Sequence, residues 1–154
     1  MIGAALLLLA GWLALNEVLP LALLEGTTRW PSCPGRHRLP PRTSVRVGRL
    51  PPGDGGFTVA FGPWRWVVVN ATVPLHWVPM VLAHEAAHIR CGHLRRLWLL
   101  YVIGLDWTPW AKRCVARWEL EADEEVDKAF GVQGTGMGLR WMLAKNETRE
   151  GAPT

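Results

Sequence analysis

His84, Glu85, Ala86, Ala87 and His88 spell H-E-x-x-H, and this run constrains the chain more than any other. It lies in a stretch, from about Leu75 to Cys91, whose residues suit a helix. Two histidines four apart fall on one helical face, so their imidazoles can converge on a single ion. The glutamate beside them is placed to take up and return a proton. A catalytic zinc site of this kind also needs a third protein ligand and an open fourth position. The fold must therefore bring a later donor onto the face of His84 and His88.

A second helix supplies that donor. Thr108-Pro109 reads as an N-cap followed by proline at the first helical position, opening a long helix to about Phe130. Glu119 and Asp123 lie four apart on its stripe with Val115, Val126 and Phe130, while Glu121, Glu124, Glu125 and Lys128 fall opposite. Acids on an otherwise apolar face are costly unless they meet a cation or hydrogen-bond donors. Glu119 is thus the candidate third metal ligand. Asp123 is the candidate acceptor for the free N–H of a ligating histidine, which would fix that ring's tautomer. The bland alternative is a solvated acidic helix, and it is the expectation for Glu121, Glu124, Glu125 and Asp127.

H-E-x-x-H followed by E-x-x-x-D on a later helix resembles the gluzincin pattern. The string from about residue 57 to 130 is similar to the integral-membrane zinc metallopeptidases of families M48 and M56, the latter BlaR/MecR-like. Val81 to Arg90 resembles their motif helix, Trp107-Thr108-Pro109-Trp110 their aromatic-x-Pro turn, and Glu119 to Asp123 their glutamate box. Val67-Val68-Val69-Asn70 is similar to their active-site edge strand. The resemblance implies a zincin-like domain with one Zn2+ held by His84, His88 and Glu119, and Glu85 as general base. It also implies that Trp66, Val67, Val68, Val69 and Asn70 bind substrate as an added β-strand. The chain departs from these families in its compactness: about 30 residues separate His88 from Glu119, and no sensor domain is visible.

Other residues near the motif are weighed separately. A helix continued through Gly92 points His93 about 180° from His84, away from the ion. Cys91 falls on the ligand face and reads as a small buried residue beneath the site. His76 reads as a surface or core histidine and His37 as a solvated one.

The expected fold class is α+β and mainly helical, with a small antiparallel sheet whose edge strand precedes the motif helix. Phe57 to Phe61 and Trp64 to Asn70 read as two strands joined at Gly62-Pro63. Leu94 to Gly104 reads as a further helix and Leu139 to Asn146 as a short final one. Residues 57–146 form the expected metallopeptidase domain and 147–154 a tail. Residues 26–56 form a basic, Pro- and Gly-rich linker, in which Thr43 to Leu50 can be an edge strand.

Residues 1–25 are almost wholly apolar apart from Asn16, Glu17 and Glu25, and approach the roughly 20 residues that a bilayer needs. A membrane anchor is the favoured reading, ahead of an interfacial or core helix and of a cleaved signal. Arg29, Arg36, Arg38, Arg42, Arg46 and Arg49 follow it, which places the remainder on the cytoplasmic side. The three cysteines are odd in number and form no C-x-x-C, in keeping with a reducing compartment. Ten tryptophans suit a membrane interface as well as a core.

The expected function is a zinc-dependent endopeptidase, anchored by a single N-terminal span, acting on a peptide or protein at or near a membrane. Its rival is an inactive, structural zinc-site component of a membrane-associated assembly. A basic module using Arg36 to Arg49 is the weakest alternative, and no nucleic-acid partner is expected despite the net charge of +4.

Overall fold

The computed structural model describes residues 10–12 and 21–131. Its strands are β1 (Thr28–Arg29), β2 (Thr43–Gly48), β3 (Gly56–Phe61) and β4 (Trp64–Asn70). Its helices are α1 (Val78–Arg90), α2 (His93–Val102) and α3 (Pro109–Phe130), with a 3-10 turn at Arg36–Arg38. The class is α+β, as expected.

Strand order is β1-β2-β4-β3. β3 and β4 form the expected hairpin, with Phe61 opposite Trp64. Gly62 takes a positive φ of 53°, the value that the first position of a two-residue hairpin loop demands. β2 runs parallel to β4, pairing Thr43 with Arg65 through to Gly48 with Asn70. The sheet is therefore mixed rather than antiparallel. β4 is also an interior strand, bonded to β2 on one side and β3 on the other. The sheet's two edges are β1 and β3, and the edge strand beside β4 is β3.

Residues 26–56 are part of the folded body and not a linker. They contribute β1, β2 and β3's first residue, and Cys33 and Val45 join the core. Trp30 N–H donates to Val45 O at 2.9 Å, tying the stretch after β1 to β2.

α1 lies between the sheet and α3 and touches both. Its residues Val78, Val81, Leu82 and Ala83 pack with Val45, Val67 and Val69 of the sheet and Val126 of α3. Leu82, Val67, Val69 and Val126 are fully buried, each contributing about 1.5–3 kcal/mol. Pro79 sits in the first turn of α1, where no intrahelical N–H is needed. Gly92 ends α1 by taking φ 71°, a conformation that costs glycine little. Thr108 caps α3 as the sequence predicts, its Oγ1 accepting from Ala111 N–H at 3.2 Å.

Most of the apolar segment 1–25 and all of the expected helix Leu139 to Asn146 lie outside the described residues. Trp12 Nε1 donates to Val102 O at 3.1 Å, so one residue of that segment meets the end of α2. Among the described residues, no helix is long and apolar enough to cross a membrane.

Candidate metal centre

The spacing of α1 and its central position decide the site. His84 and His88 stand one turn apart on the face that meets α3, and α3 presents Glu119 and Asp123 to them. His84 Nε2 and His88 Nε2 are 2.9 Å apart. Glu119 Oε2 lies 3.1 Å from His84 Nε2, and Oε1 lies 3.5 Å from His88 Nε2. These three residues form the one group among the described residues that could hold a metal ion.

Hydrogen-bond chemistry fixes which nitrogens carry protons. Asp123 Oδ1 lies 3.0 Å from His84 Nδ1, and both residues are buried. An ionised carboxylate only accepts, so Nδ1 carries a proton, and Nε2 faces Glu119 and His88 with a second proton in the charged ring or with a lone pair in the neutral one. His88 Nε2 and the Glu119 carboxylate converge on the same point. Three acceptors facing one another repel unless a cation, metal or proton, lies between them.

The electrostatics report that demand. Burial opposes charge on His84, but hydrogen bonds from its ring to Asp123 and Glu119, and the nearby Glu85 charge, outweigh it and push its pKa up to about 10. Burial likewise disfavours ionised Glu119, yet its bonds to His84 and His88 hold its pKa far below the usual carboxylate range.

Glu85 is 7% exposed, and Thr58 Oγ1 of β3 donates to its Oε2 at 2.6 Å. Gly56 permits this approach of strand to helix. A Cβ there would meet Val68 O and Val81 Cγ1 at 2.9 Å each, and would lie 3.8 Å from Glu85 Oε1. A cleft of about 340 Å³ opens over the four residues. One wall is the 53–58 backbone; the other is Leu94 and Leu97 of α2 with Val115 and Trp118 of α3.

His84, Glu85, His88, Glu119 and Asp123 thus come together as the sequence predicts. Trp66, Val67, Val68, Val69 and Asn70 do not, and none of them lines the cleft. Both edges of β4 are already paired, so it has no free backbone to offer an added strand. Asn70 acts indirectly: its Nδ2 donates to Asp54 O at 2.8 Å, pinning the loop that leads into the cleft wall. Cys91 is exposed beyond the end of α1 rather than buried beneath the site. His76 and His37 are exposed and stand apart from it.

His93 and Glu121 depart from expectation: His93 is not carried on by the motif helix, and Glu121 is not simply solvated. The turn at Gly92 breaks the helix and folds His93 back, 2% exposed, with its Nδ1 3.0 Å from His88 Nδ1. Its Nε2 lies 3.1 Å from Glu121 Oε2, so this acid also faces the cluster's outer layer. Burial lowers the pKa of His93, reinforced by the charge of His88 and opposed by Glu121. A glycine four residues after His88 was the available signal.

Comparison with known proteins finds no match among family models, curated proteins or solved structures.

Proposed function

We propose that the chain is a zinc-dependent endopeptidase of gluzincin type, as its resemblance to the M56 and M48 metallopeptidases implies. The observation that carries this reading is the convergence of His84 Nε2, His88 Nε2 and the Glu119 carboxylate beside Glu85. Tetrahedral ligands at about 2.0–2.1 Å from zinc stand about 3.3 Å from one another. The spacings of 2.9, 3.1 and 3.5 Å bracket that value. Two imidazoles and one carboxylate are a catalytic zinc donor set, and no fourth His, Cys or carboxylate joins them among the described residues. A donor set of two imidazoles and one carboxylate favours catalysis over a purely structural site.

Zinc held there supplies an acidified water and a Lewis-acidic contact to the scissile carbonyl. Glu85 does the proton work, accepting from the attacking water and returning the proton to the leaving amine. Thr58 holds the Glu85 carboxylate toward the cleft. The edge of β3 that no described strand pairs, Gly56 to Thr58, receives an extended substrate by main-chain hydrogen bonds, in place of the interior strand Trp66 to Asn70. Leu94, Leu97, Val115 and Trp118 give side chains of that peptide an apolar wall. The apolar segment 1–25 anchors the domain on the cytoplasmic side of a membrane, and substrate is a peptide or protein met there.

Glu85→Gln tests the mechanism. Zinc binding is expected to persist while cleavage of an unfolded protein substrate falls by at least about 10²–10⁴-fold. Undiminished cleavage by that variant sinks the assignment.

A further inference from the structure

Among the described residues, no carboxylate meets the outer nitrogen of His88. Its Nδ1 meets another imidazole, that of His93, at 3.0 Å. His93 in turn meets Glu121 Oε2 at 3.1 Å through Nε2, and Glu121 Oε1 accepts from Arg117 Nε at 3.2 Å. Trp118 stacks on the His93 ring, with centroids 5.5 Å apart and planes 15° from parallel. Ring position and ring plane are therefore both held.

The direction of this chain follows from its last member. A carboxylate can only accept, so His93 carries a proton on Nε2. A neutral His93 then offers the lone pair of Nδ1, which can only accept from His88 Nδ1–H. With an ion between them, His88 Nε2 turns its lone pair toward the point it shares with His84 and Glu119, the tautomer able to bind a metal. Reversing either bond places the proton on His88 Nε2 and blocks the site.

We infer that His93, oriented by Glu121 and Trp118, is a positioning residue that sets the tautomer and aim of His88. The two histidine ligands are then held differently, His84 directly by a carboxylate and His88 through a neutral imidazole. The lone pair on His88 Nε2 and the consequence for metal affinity rest on the zinc reading above; the bond from His88 Nδ1 to His93 does not.

The test uses the full chain. His93→Phe keeps a flat ring against Trp118 but removes the acceptor, whereas His93→Asn restores an acceptor at the same δ position. Zinc dissociation constants come from competition with a chromophoric chelator. The protonated nitrogen of His88 is read from two-bond 1H–15N spectra of the metal-free protein. His93→Phe is expected to bind zinc about 10–100-fold more weakly and to lose the Nδ1–H signature of His88. His93→Asn recovers most of both. Should His93→Phe fail to fold, Glu121→Ala on the half-exposed face of α3 asks the same question, and a several-fold loss is expected. Wild-type zinc affinity and unchanged His88 signals in the folded variants overturn the inference. If the wild-type chain binds no zinc yet its His88 signature depends on His93, the relay stands and the zinc reading falls.

Discussion

The hydrogen bond between Asp123 and His84 allows a quantitative prediction. Its length is 3.0 Å, and the two side chains are 5% and 11% exposed. A hydrogen bond to a charged group is worth about 1.5–3 kcal/mol. At about 1.4 kcal/mol per tenfold, that converts to roughly 10–100-fold in metal affinity, the range found when such outer partners are removed. Asp123→Asn keeps an oxygen that can accept from His84 but loses the charge. Its amide can also turn its NH2 toward Nδ1 and favour the wrong tautomer. We expect roughly tenfold weaker zinc binding. Asp123→Ala leaves a buried ring N–H without that acceptor, and roughly 100-fold is expected. Chelator competition at fixed pH measures both, with thermal melts to verify folding. If the two variants fold and bind zinc as tightly as the wild type, the carboxylate does not orient His84 and the reasoning fails. In the metal-free protein, Asp123 makes the strongest contribution raising the His84 pKa, so Asp123→Ala should lower it.

Three other outcomes are expected. The His84 pKa is raised from 6.5 to about 10, so protonated His84 stabilises the metal-free fold fully below about pH 6.5, and this support fades as pH rises through 10. Denaturant titrations of chelator-treated protein across that window measure it, and a flat profile refutes it. Thr58→Val removes the 2.6 Å bond to Glu85 and should lower kcat/KM by up to roughly 10–100-fold with zinc affinity unchanged; an equal loss in both would show a general disturbance instead. Burial pushes the Cys33 thiol up to about 11 against the opposing charge of Arg36. Exposed Cys91 should therefore alkylate quickly and Cys33 only on unfolding, which peptide mapping after timed labelling can check.

Residues whose placement depends on helical spacing were legible from the chain alone. His84 and His88 share a face because 3.6 residues make a turn, and Glu119 with Asp123 share the buried stripe of α3 for the same reason. Thr108-Pro109 announced the start of α3 by capping chemistry, and the start at Pro109 agrees. Extrapolation failed where spacing was carried past a break. His93 lies past Gly92, whose positive φ redirects the chain, while Cys91 caps the end of α1 and is exposed there. Glu121 falls opposite the apolar stripe of α3, and only the return of His93 gives its carboxylate a buried partner.

The chain's own order thus determined the motif, the face it occupies, the second acidic pair and the α+β class. Only tertiary structure decided which strand is free. Alternation identifies a strand and its faces, but pairing order depends on contacts between distant segments. Val67 to Val69 read as the best strand, and that apolar content is what an interior strand flanked by β2 and β3 requires. The edge fell instead to Gly56 to Phe61, whose glycine lets backbone come close to Glu85. Tertiary packing likewise brought His93 and Glu121 together across 28 residues and placed a second imidazole behind His88.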